Sequence, residues 1–173
     1  MLTVFTGEVP EVIRAFDRDK SYLQAPTRDG GKLNATWDAL LPPGRGFVLI
    51  EDHTKFGLST GLPTGDGDAR FSISMFHQLH CLDYVRTTLY NVILNLQSNT
   101  REDIFIAEID QADHLPHCLD YLRQGIMCSG DTSIEGAKYD EHGTVVFGIG
   151  SEHKCKDFQA IYDFTAKHAD TVF

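Results

Sequence analysis

The pattern of apolar and polar positions divides the chain into helical and strand-like stretches, which are separated by loops rich in glycine and proline. Apolar residues recur every three or four positions over 71–96, which predicts a long helix. Pro116 suits a first helical turn and indicates a second helix that ends near Met127. Apolar runs at 46–50 and 143–148 predict two strands, which are expected to pair with each other. Further helices are predicted within residues 1–20, over 35–40, over 102–108 and over 156–168.

The two long helices carry a ten-residue motif that the sequence uses twice. The copies, His77–Arg86 and His114–Arg123, are identical at seven of their ten positions. Each copy places His, His and Cys at i, i+3 and i+4, which puts the three side chains on one face of a helix. The sequence therefore predicts an α+β fold that is predominantly helical. We expect a single domain over residues 1–173, with the two motif helices packed together beside a small antiparallel sheet.

The motif histidines are the strongest candidates for chemistry. Two packed helices would bring four imidazoles into one place, and imidazole is a good ligand for copper, zinc, iron and nickel. The predicted catalytic and metal-ligating residues are His77, His80, His114 and His117.

Each copy of the motif also holds an aspartate–arginine pair at i, i+3. The simpler interpretation is two surface ion pairs, each worth about 0.2–0.5 kcal/mol. The alternative is that the aspartates accept the second N–H of metal-bound histidines. The candidates for such a supporting or substrate-binding role are Asp83, Asp120, Arg86, Arg123 and His153. The two tyrosines of the repeat, Tyr84 and Tyr121, are predicted to be core aromatics.

Four cysteines allow two disulfides. The repeat favours a bridge between Cys81 and Cys118, which leaves Cys128 and Cys155 for a second one. Such a bridge would stabilise the fold by about 3–4 kcal/mol on the chain-entropy model. This pairing presumes an oxidising compartment, and in a reducing one the thiolates would instead be candidate metal ligands.

The charge balance excludes one class of partner. A formal net charge of −10 and a sequence pI ≈ 5.1, without a long basic run, argue against binding to nucleic acid. No window holds the 18 or so apolar residues that a membrane span needs, so we expect no span in this sequence. The expected partner is a small-molecule or peptide substrate, and the oligomeric state stays open.

Beyond the doubled motif, several stretches resemble one family. They are Phe76–Leu82, His117–Gln124, Met127–Thr132, His153–Phe158, Trp37–Leu40 and Pro42–Gly44. Together they resemble the UstYa-like family of fungi, whose members carry two HxxHC motifs. The resemblance covers about residues 35–168.

The resemblance implies a tailoring enzyme of fungal secondary metabolism, including mycotoxin pathways. The expected reaction is oxidative cyclisation, hydroxylation or desaturation, by an oxidase with copper bound to the four motif histidines. Alternatives are a metal-independent cyclase that guides a pericyclic ring closure, with no cofactor, and a non-catalytic binding protein. Members commonly begin with a membrane anchor. If a leader or anchor precedes this sequence, the lumen of the secretory pathway is expected, as the sequon at Asn34–Thr36 also suggests, and otherwise the cytoplasm.

Overall fold

The computed structural model describes residues 9–17, 19–26, 35–58, 60–64, 69–99, 114–140, 143–145, 148 and 150–167. Its helices are α1 (Ala35–Asp38), α2 (Ser74–Asn99), α3 (His114–Ser129) and α4 (Phe158–Lys167). Its strands are β1 (Phe47–Ile50), β2 (Leu62–Pro63), β3 (Ala69–Ile73), β4 (Ile134–Glu135), β5 (Lys138–Asp140) and β6 (Gly143–Val145). The α+β fold is confirmed, and the helix predicted at 102–108 lies outside the described residues.

Strand β3 is the centre of the main sheet. It pairs antiparallel with β1 on one side and with both β2 and β4 on the other. Strands β5 and β6 form a separate antiparallel hairpin. The prediction that this stretch pairs with 46–50 is therefore wrong for residues 143–145, whereas residues 146 and 147 lie outside the described residues. Residues 143–145 find their partner locally, as neighbouring antiparallel strands commonly do.

Helix α2 begins at Ser74, three residues later than the apolar pattern predicts, because residues 71–73 belong to β3. The loop after α3 caps this start. The backbone N–H groups of Ser74 and Met75 donate to the carbonyls of Ser133 and Asp131 over 3.0 and 2.9 Å. These bonds satisfy two of the amides that a helix start leaves unpaired. They also tie the first turn of α2, which carries the first motif histidine, to the strand that follows α3.

The predicted N-terminal helix is absent from residues 9–17, which run without regular secondary structure. A short isolated helix is marginal in water unless an apolar face is buried. Here Val12 and Ile13 stay exposed, so that burial is missing. Instead the segment lies along α3, where the Phe16 ring meets Tyr121 edge-on at 5.5 Å between centroids.

The core lies on the sheet and beneath the two motif helices. Ile50, Ala69 and Phe71 form a buried cluster on β1 and β3, while Leu79 of α2 and Leu119 of α3 are also buried. Helices α2 and α3 contact each other, as predicted. Within the described residues, no helix is both long and apolar enough to cross a membrane.

Candidate functional site

His77 lies in the first turn of α2 and is held by a buried carboxylate. Its Nδ1 is 2.5 Å from Oε2 of Glu135, on β4. The other carboxylate oxygen, Oε1, accepts a 2.7 Å hydrogen bond from Ser74 Oγ. The Glu135 side chain is only 4% exposed, against 21% for His77. A carboxylate orients a catalytic or metal-bound imidazole in this way, through the nitrogen that does not react.

The other motif histidines lie on the same two helices. His80 is one turn beyond His77 on α2, and its side chain is exposed. His117 is one turn into α3 and is also exposed, with its ring 6.2 Å from that of Tyr121. His114 begins α3, and its side chain lies outside the described residues. Whether all four rings meet therefore stays a prediction.

The cysteines are free thiols in the structure. Cys118 is half-buried, whereas Cys81, Cys128 and Cys155 are exposed. Although the Cys81 residue is exposed, its thiol is partly shielded from water, and this desolvation, followed by the negative charge of Glu135, raises its pKa. The two predicted disulfides stay predictions.

The aspartate–arginine pairs are not surface ion pairs, which corrects the simpler interpretation. The Arg86 and Arg123 side chains are 1% and 7% exposed. Nε of each arginine donates to the aspartate three residues before it, over 2.9 Å to Asp83 and 3.0 Å to Asp120. Arg86 Nη2 also lies 2.8 Å from the Asp83 oxygen, but off the direction of a hydrogen bond. Each aspartate thus pairs with the arginine of its own motif copy. The carboxylate that holds His77 is that of Glu135.

Each buried guanidinium lies over an aromatic ring from the segment before β1. Arg86 is 4.5 Å from the Trp37 ring centroid, and Arg123 is 3.7 Å from that of Tyr22. The two rings meet edge-on at 5.8 Å, and Trp37 Nε1 donates to the Tyr22 carbonyl over 3.2 Å. We call this set of residues, with Asp83 and Asp120, the arginine clamp. It joins both motif helices to one pair of rings and explains why the repeat includes Asp and Arg.

The repeated tyrosines are not core aromatics, contrary to the prediction. Tyr84 and Tyr121 are 68% and 57% exposed. They lie at equivalent positions one residue after the clamp aspartates, on the outward face of their helices. Tyr121 instead forms a wall of a cleft.

That open cleft, of about 420 Å³, lies between α3 and the N-terminal segment. Its lining residues are Phe16, Asp17, His117, Asp120, Tyr121 and Gln124. Gln124 Nε2 donates to both the Asp17 carbonyl and the Asp120 carboxylate, which holds the segment against the helix. The volume is within the range of small-molecule sites. His117 therefore lies beside a space that a substrate group could occupy.

His153 belongs to a second histidine–carboxylate pair. Its Nδ1 lies 2.7 Å from Oδ2 of Asp131, in the loop after α3. Burial raises the pKa of Asp131, but hydrogen bonds from Ser133 and the neighbouring His153 outweigh it and hold that pKa below its ordinary value. The sequence singled out His153 but not its partner.

The donor chemistry at His77 fits a metal. Glu135 engages Nδ1, so Nε2 is the nitrogen left to ligate, and His80 follows on the same helix face. Within the part of the chain whose side chains are described, no three His, Cys, Asp or Glu side chains lie close enough to hold an ion. The side chain of His114 lies outside that part, and its role as a ligand stays a prediction.

Comparison with known protein sequences identifies the family of this chain. A family model described as "Mycotoxin biosynthesis protein UstYa" matches residues 4–168. The chain belongs to the UstYa family. No solved structure matches it.

Among UstYa relatives, the chain is 33% identical over 141 residues to the UstYa family oxidase phomYb of Diaporthe leptostromiformis, covering 80% of this chain and 51% of that protein. It is 41% identical over 126 residues to the oxidase ustYa of Aspergillus flavus, covering 70% and 54%. It is 31% identical over 108 residues to the hydroxylase cctR of Talaromyces islandicus, covering 62% and 37%. The chain thus spans about half the length of the first two of these relatives.

Proposed function

We propose that this chain carries the active site of a copper-dependent tailoring oxidase of fungal secondary metabolism. Its relatives named oxidase or hydroxylase support the reaction class. The observation that carries the proposal is the His77 ring, which a buried carboxylate holds through Nδ1 at the start of a motif helix. An imidazole oriented in this way has one nitrogen prepared for a ligand.

Copper would be held by the motif histidines His77, His80, His114 and His117. When bound, it supplies the one-electron and dioxygen chemistry that side chains lack. The chain's own residues orient the ligands and bind the substrate. Glu135 orients His77, and the arginine clamp ties α2 and α3 to one pair of rings.

The substrate would lie in the cleft beside His117. Phe16 and Tyr121 provide its aromatic surface, and Asp17 provides a carboxylate at its rim. A small organic molecule or a short peptide segment fits a space of about 420 Å³. This position puts the bound group next to a motif histidine.

Product mass tests the proposal. Oxidative cyclisation or desaturation removes two hydrogens from the substrate and passes them, with two electrons, to dioxygen, which becomes hydrogen peroxide. Hydroxylation inserts one atom of dioxygen and reduces the other to water with two electrons from an added reductant, ascorbate. We expect candidate peptides and aromatic small molecules, incubated with copper-loaded protein, ascorbate and air, to give such products. The reaction should stop without oxygen, with a chelator, or in His77→Ala and His117→Ala. His53→Ala is the control, since His53 packs on Phe71 of the sheet. Turnover that persists in chelator would refute the copper oxidase.

A second candidate is a metal-independent cyclase. The His77–Glu135 pair favours it, because a carboxylate-bound imidazole can also polarise a carbonyl or transfer a proton. Its product would have the same mass as its substrate, and it would form in chelator and without oxygen. The same assay therefore separates the two functions.

A further inference from the structure

Glu135 is the one buried carboxylate among the described residues that touches a motif histidine. It lies on β4, 58 residues from His77 in sequence, opposite Ser72 of β3. Nothing in the doubled motif points to it. Its burial requires partners for both oxygens, because an uncompensated charge inside a protein is costly.

Both oxygens of Glu135 are engaged by the first turn of α2. Oε1 accepts from Ser74 Oγ, whose residue is fully buried, and Oε2 faces His77 Nδ1. Gly148 leaves space beside the carboxylate that a side chain would fill. A Cβ on Gly148 would meet Oε1 at 3.0 Å, and its φ of +70° also disfavours a side chain. The carboxylate is therefore held by its two partners in the first turn of α2.

We propose that Glu135 is a positioning residue that selects the tautomer of His77. An ionised carboxylate only accepts hydrogen bonds, so Nδ1 is the protonated nitrogen. Nε2 then carries the lone pair and is the only nitrogen of this ring able to bind a ligand. The proposal deepens the proposed function, yet the tautomer is a property of the metal-free protein.

The experiment is nitrogen NMR of histidine-labelled, metal-free protein at about pH 8, which is above the ordinary pKa of a histidine side chain. The His77 signal is assigned from its loss in His77→Ala. We expect the wild type to show the Nδ1–H form. Glu135→Met replaces the carboxylate with a side chain of similar length that lacks its hydrogen-bond acceptor for His77 Nδ1. We therefore expect the Nδ1–H form no longer to be the main tautomer. Asp38→Asn is the control, because it removes an exposed carboxylate that pairs with Arg45 and should leave the His77 signal unchanged. The indole N–H of Trp37, buried and hydrogen-bonded, reports that each variant is folded.

Copper affinity is the second measurement, by competition with a chelator. Loss of a carboxylate behind a ligating histidine typically weakens metal binding by about 10–100-fold, and we expect that range for Glu135→Met. A wild-type His77 in the Nε2–H form would overturn the proposal, as would an unchanged Nδ1–H form in folded Glu135→Met. If the tautomer changes as expected but copper affinity does not, the role of Glu135 stands, and ligation by His77 in the proposed function is refuted.

Discussion

Removing Arg123 from the arginine clamp should destabilise the protein far more than removing an exposed arginine. Among the described residues, Gln124 is the hydrogen-bond partner that would remain to Asp120, whose side chain is 3% exposed. Breaking a buried ion pair by removing one partner costs about 3–5 kcal/mol. The lost contact with the Tyr22 ring is part of the same change, and a desolvated pair of this kind is worth about 2 kcal/mol. We therefore expect Arg123→Ala to lose about 3–5 kcal/mol of unfolding free energy.

The matched control is Arg45→Ala. Arg45 also pairs with an aspartate, Asp38, at 2.9 Å, but both side chains are 57% exposed. An exposed pair contributes about 0.2–1 kcal/mol. The assay is urea unfolding of both variants, followed by the fluorescence of Trp37. If Arg123→Ala unfolds before urea is added, Tyr22→Leu keeps the ion pair and removes the ring's contacts with Arg123 and Trp37, of which the arginine contact is worth about 0.5–2 kcal/mol. Equal midpoints for Arg123→Ala and Arg45→Ala would refute the clamp.

Three further predictions follow from the cleft, the Asp131 pair and the cysteines. Phe16→Ala should raise KM more than it lowers kcat, because Phe16 lines the cleft without belonging to the histidine motif. Steady-state kinetics compare it with the control Val12→Ala, on the exposed part of the same segment. Equal KM values for the two variants would contradict a substrate site in the cleft. Since the pKa of Asp131 is held below its ordinary value, this carboxylate stabilises the fold above about pH 4 and loses that contribution as pH falls through its folded pKa. The wild type should therefore lose its advantage over Asp131→Asn on acidification in urea unfolding, and a constant difference would contradict this. Protein from an oxidising secretory compartment should show Cys81–Cys118 and Cys128–Cys155 crosslinks in non-reducing peptide mapping, whereas four alkylated thiols would rule the bridges out.

The sequence predicted the motif helices well, because a doubled motif and a long apolar period are local signals. It missed Glu135, because β4 is two residues long and lies 58 residues from His77 in sequence, so that no local pattern connects the two. It placed the clamp arginines at the surface for a similar reason. Their aromatic partners, Tyr22 and Trp37, lie in a loop-rich segment whose packing no local pattern indicates.

The prediction of an N-terminal helix is wrong for a different reason. Val12 and Ile13 have helical spacing, but that spacing stabilises a helix only where another surface buries it. The side-chain amide of Gln124 donates a hydrogen bond to the Asp17 carbonyl of this segment, and the Phe16 ring contacts Tyr121. The same arrangement creates the cleft beside His117, and the helical spacing of the segment gives no sign of it.

Copper content is the most direct test of the central claim that the motif histidines bind copper. Purified protein is loaded with copper, dialysed against a weak chelator and analysed by elemental analysis, beside His77→Ala, His117→Ala and the control His53→Ala. We predict that the wild type and His53→Ala retain copper in a fixed ratio to protein, and that both motif variants lose it. Equal copper in all four proteins, or none in the wild type, would contradict the account.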